Sequence, residues 1–113
     1  MILTLDKSTS KNMFAVIYSF SIKPERAAQF ITAWKEMTQL IKAFEGGLGS
    51  RLHKKSETEY IAYAQWPSRE KWKNAGGNLP KEAELISQAM RECCIESKTI
   101  HELEMVEDLL SKI

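Results

Sequence analysis

The stretch FAVIYSFSIKPERAAQFITAW, residues 14–34, decides the fold. Its first half alternates with period two: Phe14, Val16, Tyr18, Phe20 and Ile22 fall on one face, Ala15, Ile17, Ser19 and Ser21 on the other. That pattern predicts a strand. The strand stops at Lys23-Pro24, and Pro24 suits the first helical position because its missing N–H is one the helix would leave unpaired. Glu25 follows in the first turn, where a negative charge complements the helix dipole. From there the spacing lengthens. Ala27, Phe30, Ile31, Trp34, Met37, Ile41 and Phe44 fall on one helical stripe. Gly46-Gly47 closes the helix, since glycine takes the left-handed terminal conformation at little cost.

Working outward, Leu48 to Lys55 reads as a second strand, with Leu48, Ser50 and Leu52 on one face and Arg51 and His53 on the other. Ser56-Glu57-Thr58-Glu59 suits a turn into a third strand, which places Tyr60, Ala62, Ala64 and Trp66 opposite Ile61, Tyr63 and Gln65. The short connection predicts a hairpin. Ser68 caps a short helix through about Asn74, and Ala75-Gly76-Gly77-Asn78 breaks it. Pro80 opens another helix with Ala83, Ile86, Ala89, Met90 and Cys93 on one face. Ser97 to Asp108 reads as a last strand, with a helix over Met105 to Ile113 as the alternative. Residues 1–12 show no periodicity and read as a flexible tail, leaving residues 13–113 as a single domain. The order β-α-β-β-α-β is the ferredoxin-like α+β plan, a four-stranded antiparallel sheet with helices on one face.

The whole-chain numbers narrow the function classes. The chain has 113 residues, 43% hydrophobic and 27% charged, with a net charge of +1. That balance gives no broad electrostatic case for nucleic acid or for an anionic membrane. No apolar run approaches the roughly 20 residues a membrane helix needs, and the N-terminus lacks a signal-peptide pattern, so the cytoplasm is the expected location. Cys93 and Cys94 are adjacent, a poor geometry for a disulfide, and no spacing supports a zinc site. They read as buried or half-buried free thiols on a helix. Strands one and three are apolar on both faces, and two helices cover one side only. The uncovered side predicts a two-fold dimer with sheet packed on sheet.

The stretches VIYSFSIKPERAAQFITAW, FEGGLGSRLHKK and YIAYAQWPSREKW resemble the antibiotic biosynthesis monooxygenase domains of the dimeric α+β barrel superfamily. The features that carry the resemblance are Pro24 at the first helix, Phe30 with Trp34 inside it, Gly46-Gly47-Leu48 before strand two, and Trp66-Pro67-Ser68 closing strand three. They span residues 13 to 75, with weaker agreement beyond. The resemblance implies that Trp66 stands at the mouth of a cleft between sheet and helices. As a large side chain it can equally anchor the following helix to the sheet. The resemblance also implies oxidation of a small aromatic substrate, a hydroquinone or a polyketide-like anthrone, by dioxygen without metal, flavin or other cofactor.

Such a site needs an apolar, aromatic pocket and one or two groups that hold a proton or an oxyanion. Tyr18, Phe20, Trp34, Tyr60, Trp66 and Trp72 are the candidate walls. His53 is the candidate proton acceptor by residue type, Arg51 the candidate anion stabiliser beside it, and His101 a second histidine on the last strand. The plainer readings are a packed core for the aromatics and solvent or dimer interface for Arg51 and His53. Haem-degrading relatives use an Asn on strand one and a His in the helix after the tryptophan. FAVIYSF holds no Asn and KNAGGNLP no His, which argues against haem degradation. An isomerase would need a phosphate anchor, for which only Arg51, Lys54 and Lys55 offer themselves. A dimeric small-ligand binding protein without turnover is the non-enzymatic alternative.

Overall fold

The computed structural model describes residues 13–111, so the tail expected over residues 1–12 lies outside it. The elements are β1 (Phe14–Ile22), a 3-10 turn (Pro24–Arg26), α1 (Ala27–Glu45), β2 (Gly49–Lys54), β3 (Glu59–Trp66), α2 (Arg69–Lys73), α3 (Glu82–Cys93) and β4 (Cys94–Glu104). The strands form one antiparallel sheet in the order β2-β3-β1-β4. The ferredoxin-like plan expected from the residue pattern is the plan observed.

Its physical basis is visible at the joints. Pro24 starts the turn that leads into α1, and the Lys23 N–H donates to the Cys93 carbonyl at 2.9 Å. That bond brings the end of β1 to the end of α3. At the far end of α1, Gly46 has φ 83°, the left-handed conformation that a side chain penalises. Ser68 caps α2 by accepting a hydrogen bond from the Lys71 N–H. Glu45 is buried, and its Oε2 accepts from the Asn78 N–H at 2.9 Å, which holds the loop before α3 to the end of α1.

The inward face of the sheet carries two core clusters. Phe20, Ile22, Phe30, Tyr60, Ala62 and Cys93 form one. Its rings meet tilted, Phe20–Phe30 at 5.1 Å and Phe30–Tyr60 at 5.6 Å between centroids, an arrangement that aromatic quadrupoles favour. Phe14, Val16 and Trp66 form the other. Tyr18 packs against both. The space beside it, between the clusters, is where the molecule keeps a cavity.

Four expectations need correction. Ile31 and Phe44 are exposed rather than part of the buried stripe, which runs instead through Phe30, Ala33 and Met37. The helix turns 100° per residue, and Ala33, not Ile31, completes the face set by Phe30 and Met37. Leu48 lies outside β2 and is exposed, because the strand begins only at Gly49, whose φ of 113° breaks the alternation there. Ala89 is exposed on α3. Finally, β4 begins at Cys94 rather than Ser97, so Cys94 opens a strand rather than ending a helix, and Met105 to Ser111 forms neither helix nor strand.

Candidate functional site

A cavity of about 300 Å³ lies between α1 and the inward face of the sheet. Strand β1 supplies Tyr18 and Phe20, β3 supplies Ala64 and Trp66, and α1 supplies Trp34, Met37, Thr38 and Ile41. Met90 of α3 closes one side, and Ser97 and Thr99 of β4 stand on the rim. The pleat explains the inward set: Tyr18 pairs with Ala62, Val16 with Ala64, and Phe14 with Trp66, all on one face. On β3 the small Ala62 and Ala64 sit between Tyr60 and Trp66, and Ala64 leaves room where a larger side chain would fill the space.

Gly47 sets the end of the cavity beside Trp66. A methyl group there would lie 2.9 Å from Ile41 Cγ2 and 3.5 Å from Trp66 Cη2. Real side chains do not approach that closely, so the bare backbone is what lets Ile41 and Trp66 meet over this loop.

Tyr18 is the most constrained polar group of the site. Its Oη accepts a hydrogen bond from Trp72 Nε1 at 2.9 Å. Burial pushes the phenol upward from its usual pKa; the Trp72 bond works against that, and the Glu102 charge adds to it. Glu102 itself is paired with Arg69, Oε1 to Nη1, at 2.7 Å, and the Arg69 guanidinium stands 4.8 Å over the Phe14 ring.

The walls are otherwise apolar or neutral. Trp66 is 4% exposed. Ser50 also borders the cavity, but its hydroxyl donates to the Tyr63 carbonyl at 2.8 Å. No histidine or carboxylate lines the cavity among the described residues, and Lys98 is the one charged residue there. Lys98 Nζ lies 3.7 Å from Glu96 in an exposed pair. Nor do three His, Cys, Asp or Glu side chains group as metal ligands among the described residues.

The structure therefore brings together Tyr18, Phe20, Trp34 and Trp66, and leaves the other candidates elsewhere. Tyr60 is 5% exposed and packs on Phe30 in the core. Trp72 stands behind Tyr18, its ring 5.8 Å from Phe14, and does not line the cavity. Arg51 and His53 are exposed on the outward face, in a shallow depression of about 510 Å³ with Lys42, Leu48, Tyr63 and Gln65. His101 is also exposed and pairs with outward-facing Ile17.

Several lining residues escaped the sequence reading. Met37 and Ile41 were legible as helix stripe but not as cavity wall. Ser97 and Thr99 were hidden by two irregularities in β4, which skip Ile100 and Ile95 in the pairing with β1. Each bulge reverses which side chains face inward, so no alternation could be read there.

Residues 13–78 match the sequence pattern of the family described as antibiotic biosynthesis monooxygenase. Among curated proteins, none matches this chain. Solved structures share its fold. A Caulobacter crescentus protein, proposed to be an antibiotic biosynthesis monooxygenase, superposes with a TM-score of 0.70 at 21% identity, over 91% of this chain and 98% of its own. SnoaB, a cofactor-independent oxygenase from Streptomyces nogalater, gives 0.69 at 13% identity, over 88% and 99%. A conserved protein from Methanosarcina mazei gives 0.71 at 14% identity, over 88% and 99%.

Proposed function

Because the chain belongs to the antibiotic biosynthesis monooxygenase family, we propose that it oxidises a small aromatic hydroquinone or polyketide-like phenol with dioxygen, without a cofactor, in the cavity beside Trp66. The observation that carries this reading is a cavity of about 300 Å³ walled by Tyr18, Phe20, Trp34 and Trp66. That is the lower end of the size range of small-molecule pockets, and such pockets are mostly apolar with few polar groups.

The chemistry asks little of the protein. The substrate anion is the reductant: for an anthrone, one oxygen atom replaces two hydrogens at the methylene carbon as a carbonyl, and the other leaves as water. The protein binds the ring, keeps water out and favours the anion. Trp66 and Trp34 offer faces for a flat ring, and the apolar α1 side excludes solvent. Solvent at the rim by Ser97, Lys98 and Thr99 takes the proton, since no histidine or carboxylate lines the cavity among the described residues.

The test is oxygen uptake by chelator-treated protein against a panel of hydroquinones and anthrones. Stoichiometric uptake that falls in Trp66→Phe supports the reading. The same absence of a base favours a second reading, a binding protein that holds an aromatic without turnover. Saturable binding with no uptake across the panel would select it.

The outward sheet face is proposed as the dimer contact. Ile17, Ile61 and Tyr63 are half-buried there and Leu103 is 46% exposed, which leaves apolar surface for a second sheet. Arg51 and His53 then border the dimer rather than the substrate. Sedimentation equilibrium decides: a monomer at micromolar concentration would remove this assembly.

A further inference from the structure

The geometry points to Tyr18 Oη as the hydrogen-bond donor that seats the oxygen of a bound phenol, with Trp72 as the residue that aims it. This rests on the aromatic-ligand reading of the cavity and adds an orientation to it.

A phenol has one proton, and conjugation keeps that proton in the ring plane, so it has two directions in which to point. Trp72 Nε1 is a donor only, and at 2.9 Å it occupies one of the two. The tyrosine proton must take the other. Trp72 lies on the Phe14 side, outside the cavity, whereas Tyr18 lines it. The remaining direction is therefore the cavity side. Among the described residues no side chain or carbonyl accepts that proton, while the Trp72 bond is the one hydrogen bond the hydroxyl makes.

The other hydroxyls differ. Ser50 spends its proton on the Tyr63 carbonyl, and Ser97 and Thr99 are exposed at the rim where water serves them. Thr38 of α1 also lines the cavity, but a hydroxyl on an sp3 carbon turns freely, whereas the Tyr18 proton is held in one direction by the Trp72 bond. A phenolate oxygen placed there would meet a fixed donor, which strengthens as negative charge grows on it. A phenol is protonated, and so a donor, through the neutral range, and burial moves Tyr18 further from losing that proton.

The inference predicts selectivity for an oxygen-bearing ring over the bare hydrocarbon. We would titrate the intact protein calorimetrically with 2-naphthol and with naphthalene. Tyr18→Phe should weaken 2-naphthol about tenfold, the size of one buried hydrogen bond, and leave naphthalene unchanged. Trp72→Phe keeps the hydroxyl but frees its direction. It should lower the 2-naphthol to naphthalene preference and reduce any downward shift in the pKa of bound 2-naphthol, read from its absorbance. Equal losses for both probes, or unchanged 2-naphthol binding in Tyr18→Phe, would overturn the assignment while leaving the cavity a ligand site. Should Tyr18→Phe fail to fold, an unaltered preference in Trp72→Phe overturns it equally. Wild-type protein that binds neither probe overturns the ligand-site reading and this inference together.

Discussion

The two faces of one sheet make opposite environments from the same strands. On β3, Tyr60, Ala62, Ala64 and Trp66 turn inward to the core and the aromatic cavity, while Ile61, Tyr63 and Gln65 turn outward. On β2 the same alternation sends Arg51 and His53 outward, where Lys42 joins them in an open depression. The inward cavity has mostly apolar walls, with no histidine or carboxylate among its described lining. The outward depression carries Lys42, Arg51 and His53 and a more polar lining. Apolar surroundings make a few polar groups effective, because a shielded hydrogen bond or charge is worth more than one in water. Chemistry here must therefore lean on the donors that line the cavity, Tyr18 foremost, and on the substrate's own acidity, with Arg51 and His53 serving something else.

The sharpest way to break that contrast is by truncation on each face. Trp66→Ala removes a side chain 4% exposed and should cost about 3–5 kcal/mol in denaturant unfolding. Tyr63→Ala, one strand position set on the outward face, should cost clearly less. Equal losses would mean that the outward face is packed as tightly as the inward one.

Next comes Gly47→Ala. The added methyl would stand 2.9 Å from Ile41 Cγ2 and press toward Trp66. Ile41 is branched at Cβ, which leaves its Cγ2 methyl few positions to move to, so overpacking should cost about 1–3 kcal/mol. It should also weaken 2-naphthol binding, by shrinking the cavity rather than by removing one of its walls. Unchanged stability and binding would show that the loop moves freely and that Gly47 does not bound the site.

How much of this was legible from residues alone follows the same division. β1 through β3 announce themselves because one face is buried and alternation is then enforced. The order of elements, the Gly46 stop and the Ser68 cap came from local chemistry that does not depend on the rest of the fold. The wall residues Tyr18, Phe20, Trp34 and Trp66 were readable for the same reason. What was not readable is where depth falls along a correct face: Tyr60 and Trp66 share an orientation and both are buried, yet Trp66 borders the cavity and Tyr60 does not, because Phe30 of α1 packs over Tyr60. β4 resisted reading since its side chains are mostly exposed and two bulges reverse its parity. His53 stands out in the sequence only by residue type, and type carries no information about which face of the sheet a side chain occupies.

A smaller effect tests the raised titration of Tyr18. Its folded pKa lies above the ordinary phenol value, so the native state holds this proton more tightly than the unfolded chain. The associated stability is therefore complete below the unfolded pKa, near 10, and is lost as pH rises through the folded one. Unfolding midpoints followed from pH 9 to 11 should fall for the wild type, and fall less for Tyr18→Phe. Parallel curves would mean that the phenol is not shielded from solvent and that the inward face is wetter than its walls suggest.

The smallest expected effect is the most discriminating. His53→Gln and Arg51→Gln change exposed groups on the outward face, where substitutions away from buried features alter stability by about 0.5 kcal/mol or less. Binding of 2-naphthol in the cavity should then change by no more than about twofold, and oxygen uptake with it. If the outward face is the dimer contact, sedimentation should register these substitutions while the cavity does not. A tenfold loss of uptake at unchanged dimer content would mean that His53 or Arg51 reaches the reacting ring across the sheet's edge. The separation of the two faces would then fail at the one point where function depends on it.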